Sequence, residues 1–263
     1  MTKLHKKDSI LAGYLASFAQ RYWAYMKKVA IIQPSYIPWK GYFDIVHAVD
    51  VFVFLDDVQY TKRDWRSRNR IKMRDGTTRW LTVPVRGGRE QLIRDAPIDY
   101  AGGDWRRKHL EALRHSYGKA PHFERYYDLL RDIFSRKFPL LSQMNVAIIQ
   151  ALCGELGIKT KLLCSTDLKT AGSRDEKLIN IIRAVDGDHY LSGPSARDYI
   201  RPDLFRANGI ELAYAEYSGY PQYPQISEPF EHQVTILDLL FMTGDKAPRY
   251  IWGWKSYAGG SGQ

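Results

Sequence analysis

The chain has 263 residues, a net charge of +10, and 44% hydrophobic against 26% charged residues, which excludes a disordered polymer and leaves room for a sizeable core. No run of about 18 apolar residues occurs, which argues against a membrane-spanning helix, and Cys153 and Cys164 have neither CxxC nor zinc spacing, so no metal site is expected. The basic balance favours an anionic partner: a nucleotide, a nucleotide sugar, a lipid-phosphate glycan or RNA.

Residues 1–25 read as an extension ahead of a second candidate start at Met26. Lys3 to Lys7 followed by Leu11 to Ala19 only imitates a signal peptide, since its apolar part is short and carries Tyr14 and Ser17. A reducing cytoplasm is the simplest compartment.

Val29 to Ile32 is a β-branched run suited to a buried parallel strand, ended by Pro34. Gly41 opens a helix whose apolar face is Tyr42, Phe43, Ile45, Val46 and Val49. Asp50 to Asp56 then reads as a second parallel strand, completing a βαβ unit. Residues 57–72 are polar and basic with aromatics inserted, and an Asp75-Gly76 turn precedes a third strand over Arg79–Val85. Arg86 to Glu90 reads as a mobile loop.

Asp104 is placed to cap a helix running to Tyr117, and further helices are expected over His122–Arg136 and Leu140–Leu156. Strands follow over Lys159–Ser165, His189–Leu191 and Glu211–Ala215. Helices are expected over Arg174–Val185, Ser195–Ala207 and Gln233–Met242. The organisation expected is one α/β domain over 26–254, with a parallel sheet and additional helices, then a flexible tail over 255–263.

Three groups of residues can carry chemistry. The first is the loop Gln33-Pro34…Tyr36…Gly41-Tyr42, leaving the first strand for a helix start, where backbone N–H groups favour an anion. The second is Gln59-Tyr60-x-Lys62-Arg63-x-Trp65-x-x-Arg68-Asn69. Its Arg forks can grip phosphate and its rings can stack on a base or sugar, while Asp56 at the strand's end can act as base. A solvated basic face is the plain alternative. The third is Ser192-Gly193, with Ser195 as N-cap of a helix carrying Tyr199. Among the seven histidines, His232, near Tyr220 and Tyr223, is the candidate general base.

The first loop is similar to the nucleotide-binding loop of nucleotidylyltransferases and class I aminoacyl-tRNA synthetases, which places the core in the Rossmann-like (HUP) class. Trp39 and Tyr42 stand where those families carry a histidine pair. Taken with Asp56-Asp-Val-Gln-Tyr60, Trp65-x-x-Arg68-Asn-Arg-Ile71, Tyr190-Leu-Ser-Gly193 and Ile236 to Gly244, the chain resembles the WbqC-like family over about residues 28–250.

That resemblance implies a role in O-antigen or other surface-polysaccharide biosynthesis, with transfer of a glycyl or other acyl group to an amino sugar. In such a reaction Lys62, Arg63, Arg68 and Asn69 would orient the charged donor, Tyr42, Trp65 and Tyr223 would wall the sugar or base, and Asn69 would serve the developing oxyanion. The donor would be an activated acyl or aminoacyl group, with a tRNA as one carrier. The other readings are a nucleotidylyltransferase-like enzyme using ATP or CTP, and a non-catalytic RNA or tRNA binder.

Overall fold

A computed structural model describes residues 26–88 and 90–255, so the expected extension over 1–25 and the tail beyond Lys255 lie outside the described residues. The strands are β1 (Lys28–Ile32), β2 (Val51–Phe54), β3 (Arg68–Lys72), β4 (Thr78–Thr82), β5 (Lys161–Cys164), β6 (His189–Ser192) and β7 (Glu211–Tyr214). The α-helices are α1 (Lys40–His47), α2 (Trp105–Tyr117), α3 (Phe123–Ser135), α4 (Leu141–Glu155), α5 (Ser165–Leu168), α6 (Arg174–Ala184), α7 (Pro202–Ala207) and α8 (Ile236–Thr243).

Five strands form a wholly parallel sheet in the order β5-β2-β1-β6-β7. Successive residues of a strand point to opposite faces, and both faces of this sheet are covered. Val29, Ile31, Val51 and Val53 pack with Ile179 and Ile182 of α6 and Phe205 of α7. Ala30, Phe52 and Phe54 pack on the other side with Phe43 of α1, Ile148 and Ile149 of α4 and Leu239 of α8. The winding reverses between β1 and β6, the place where open α/β sheets bind ligands beyond their carboxyl ends.

Three expectations need correction. The strand foreseen over Arg79–Val85 does not join the sheet: Thr78–Thr82 pairs antiparallel with Arg68–Lys72, part of the polar, basic stretch for which the sequence suggests no strand. This ribbon buries Asn69, Ile71 and Leu81 while Trp80 stays exposed. It turns at Gly76, whose φ of +85° suits glycine. The helix foreseen over Ser195–Ala207 is split into a 3₁₀ turn at Pro194–Asp198 and α7, because Pro202 cannot continue a helix and starts a new one instead. Ser165, placed at a strand end, begins α5. The Asp104 cap is as expected, its side chain accepting from the Arg107 N–H at 3.3 Å.

One buried group ties stability to pH. His109 of α2 shares a 2.8 Å hydrogen bond between its Nδ1 and the Tyr36 hydroxyl, and burial lowers its pKa from 6.5 to about 4. Unfolded, the imidazole takes up a proton below 6.5; folded, it resists to about 4. In that window the unfolded chain binds more protons, so this contribution is whole above pH 6.5 and is lost progressively toward pH 4, by about 3 kcal/mol. Urea unfolding at pH 7.5 and pH 5 should show the slope, and His109→Gln should flatten it.

Candidate functional site

A cavity of about 1430 Å³ opens at the switch point. Ile32 and Gln33 from the end of β1, Leu55 from the end of β2, and Ser192 and Gly193 from the end of β6 all line it.

The loop after β1 reaches the cavity with Gln33, Ser35, Pro38 and Trp39, followed by Tyr42 of α1. The Tyr42 hydroxyl donates to the Gln33 carbonyl at 3.2 Å. Pro34 and Tyr36 serve the loop from behind. Asn145 Nδ2 donates to the Pro34 carbonyl at 3.0 Å and the Arg66 carbonyl at 2.8 Å, joining the first two segments. Tyr36 is wholly buried against His109 and is not part of the cavity wall. Gly41 is also off the wall, because the indole of Trp39 lies across the helix start: a Cβ there would sit 2.3 Å from Trp39 Cζ2. The open, anion-ready helix start expected from the sequence is therefore covered by a ring.

Of the second segment, Trp65, Arg66 and Asn69 line the cavity, while Gln59, Tyr60, Lys62, Arg63 and Arg68 do not. Asn69 is committed to the backbone. Its Nδ2 donates to the carbonyls of Tyr36 at 3.2 Å and Ile37 at 2.7 Å, and its Oδ1 accepts from Arg70 N at 2.8 Å. It thereby holds Ile37 at a φ of +40°, which a β-branched residue avoids unless forced. Asp56 is committed too: Oδ1 accepts from Ser165 Oγ at 3.1 Å, Thr166 N at 3.1 Å and Thr166 Oγ1 at 2.8 Å. It fixes the start of α5, and it stands off the cavity. The oxyanion and base roles expected of Asn69 and Asp56 do not fit these positions.

Across the cavity stand Ser192, Gly193, Ser195 and Tyr199, the last 70% exposed. Ser195 is not an N-cap, since Gly193 holds that position and no side chain caps the turn. Among the described residues no group of three or more histidine, cysteine or acidic side chains is placed to hold a metal. Nor is any helix among them long and apolar enough to cross a membrane.

Over residues 33–250 the chain matches the model of the WbqC-like protein family. It belongs to that family. It is 44% identical over 229 residues to the uncharacterized protein Rv1507c of Mycobacterium tuberculosis (strain ATCC 25618 / H37Rv), a match covering 86% of this chain and 98% of that protein. No solved structure matches it.

Two features of this WbqC-like site escape sequence reading. One is the loop Tyr217-Ser-Gly-Tyr220, which supplies a cavity wall. Tyr217 and Tyr220 meet Trp39 edge-on at 4.9 and 6.0 Å, and the Tyr220 hydroxyl is fixed by Asp44 Oδ2 at 2.5 Å. The other is Lys40, a buried lysine whose Nζ lies 5.0, 5.2 and 5.8 Å from the rings of Tyr220, Tyr223 and Phe230. Among the described residues its one hydrogen bond, to the Pro221 carbonyl, is a long 3.4 Å. Burial pulls its pKa down to about 8, against the opposing charge of Asp238.

Tyr223 does not reach the cavity; its hydroxyl donates to Asp238 Oδ1 at 2.8 Å. His232 does line it, with its ring edge-on to Phe230 at 4.6 Å and its Nδ1 buried without a partner. Burial first, and then the Lys40 charge, lower the His232 pKa, with Glu231 opposing. The site thus offers a neutral imidazole in an aromatic cleft, the form that can accept a proton.

Proposed function

We propose that this WbqC-like protein binds a nucleotide-linked amino sugar in the cleft and transfers an acyl or aminoacyl group to its amine, as a step of surface-polysaccharide biosynthesis in the cytoplasm. The observation that carries the reading is the cleft itself: about 1430 Å³ at a switch point, walled by Trp39, Tyr42, Trp65, Tyr190, Tyr199, Tyr217 and Tyr220, with His232 on its surface. Drug-sized ligands occupy roughly 300–1,000 Å³, so this volume suits a two-part ligand. Aromatic faces suit a sugar and a base. The strand order also supports a nucleotide-binding, Rossmann-like core akin to that of the nucleotidylyltransferases. With Trp39 and Tyr42 where those enzymes carry imidazoles, acyl transfer is favoured over nucleotidyl transfer.

In the reaction the sugar amine attacks the acyl carbonyl carbon, forming the N–C bond as the bond to the donor's leaving atom breaks. His232 takes the amine proton and returns it to the leaving atom. Arg174, a cation on the cavity wall with no ion-pair partner among the described residues, would face the pyrophosphate. Lys177, also on the wall, is held by Asp57 Oδ2 at 2.6 Å. Calorimetry should give binding of uridine- or thymidine-diphosphate amino sugars and weaker binding of the 4- or 2-hydroxy counterparts. Mass spectrometry with an activated acyl donor should give the amide. If no nucleotide-linked sugar binds, the reading is wrong.

A further inference from the structure

We propose that the exposed side of the β3–β4 ribbon at the mouth of the cleft binds the single-stranded 3′ end of an RNA, and that this RNA brings the acyl group as an ester of its terminal ribose. The second clause rests on the reading above; the first stands on the surface alone.

Trp65 and Trp80 are 44% and 41% exposed, two of the three large hydrophobic side chains that lie exposed among the described residues. They are neighbours, with ring centroids 5.4 Å apart at 43°. The guanidinium of Arg68 lies 4.1 Å from the Trp80 ring centre, and that of Arg70, its cross-strand partner, 5.7 Å away. These contacts hold Trp80 in place without covering it, and an indole kept exposed forgoes the burial a core would give it.

The charge around the rings is one-sided. Lys62, Arg63, Arg79 and Lys108 have no ion-pair partner among the described residues, whereas Asp64, the acid within this stretch, is taken by Arg66 at 2.5 Å. Arg79, Trp80 and Lys108 line a hollow of about 270 Å³ on one side of the ribbon. On the other side Trp65 lines the cleft. A strand laid from the hollow across Trp80 and Trp65 would end in the cleft.

Unpaired bases have open faces for such rings, and cations between them meet the phosphates; a duplex hides its base faces. A lipid surface would use the cations but gives no reason for two fixed, tilted indoles. With the terminal base on Trp65, the ribose ester would enter the cleft that His232 lines. There the sugar amine would attack the ester carbon, the N–C bond would form, and the C–O bond to the ribose would break. The amine proton would pass through His232 to the freed ribose oxygen.

The test is fluorescence anisotropy of the full chain with a labelled short single-stranded RNA, a blunt RNA duplex, and phosphatidylglycerol vesicles, alongside calorimetry with a diphosphate-linked amino sugar. Wild type should prefer the single strand. Trp65→Ala and Trp80→Ala should each weaken it ~10-fold, with Trp65→Phe close to wild type. Trp80→Ala should leave amino-sugar binding unchanged, since Trp80 is outside the cleft, which also certifies its fold. Equal binding of duplex or vesicles, or alanine variants that bind RNA like wild type, would overturn the inference as a merely electrostatic face. Sugar binding without RNA binding overturns this inference and leaves the proposed function standing; absence of both removes both.

Discussion

Replacing Asp238 with alanine is expected to cost about 3–5 kcal/mol of stability, enough to unfold much of the population of an ordinary domain. The carboxylate is buried on α8 and accepts from Tyr117 at 2.8 Å on one oxygen and from Tyr223 and Gln225, each at 2.8 Å, on the other. Alanine leaves the buried hydroxyls of Tyr117 and Tyr223 without their acceptor, while Gln225 keeps the Glu231 carbonyl at 2.9 Å, and it takes the nearest opposing charge from Lys40 and Lys72. Asn should be milder, at about 1–3 kcal/mol, since it keeps one acceptor while setting an N–H against a hydroxyl. Chemical denaturation of the three proteins gives the ranking. A loss below about 1 kcal/mol for alanine would mean that water replaces the carboxylate.

His232→Ala is expected to lower the rate of acyl transfer by about 10²–10⁴-fold with little change in amino-sugar affinity. Because burial and Lys40 hold the imidazole below its usual 6.5, the acid limb of kcat/KM should lie below pH 6.5. Lys40→Met removes a neighbouring positive charge and should move that limb upward. A profile unchanged in both variants would take the proton-transfer role from His232.

The opening βαβ unit was legible because β-branched runs and a helical apolar stripe are local patterns, and β1, α1 and β2 follow them closely. The β3–β4 ribbon was not, because Arg68-Asn-Arg-Ile-Lys72 belongs to a polar, basic stretch with no strand pattern until Asn69 and Ile71 are seen to face inward against a partner strand. In the site, His232 and the Ser192–Ser195 turn stood out by residue type, and both line the cleft. Asp56 and Asn69 stood out for the same reason and serve the backbone instead. Their partners, Ser165, Thr166, Tyr36 and Ile37, come from distant parts of the chain, so no spacing rule could reveal that their capacity is used. Lys40 shows the converse: a lysine beside a glycine at a helix start looks solvent-facing, and only the tertiary fold brings Tyr220, Tyr223 and Phe230 around it.

The central place of β1 has a consequence for synthesis on the ribosome. Its partners are β2, close behind it, and β6, whose His189 pairs with Lys28 across most of the chain. At about 5–20 residues per second, one edge of β1 stays unpaired for many seconds while the intervening helices emerge. An open, apolar strand edge is a template for association with other chains. Such long-range pairing also slows folding. Production of this protein should therefore depend on chaperone supply and growth temperature more than its finished sheet, with β1 shielded on both sides, would suggest.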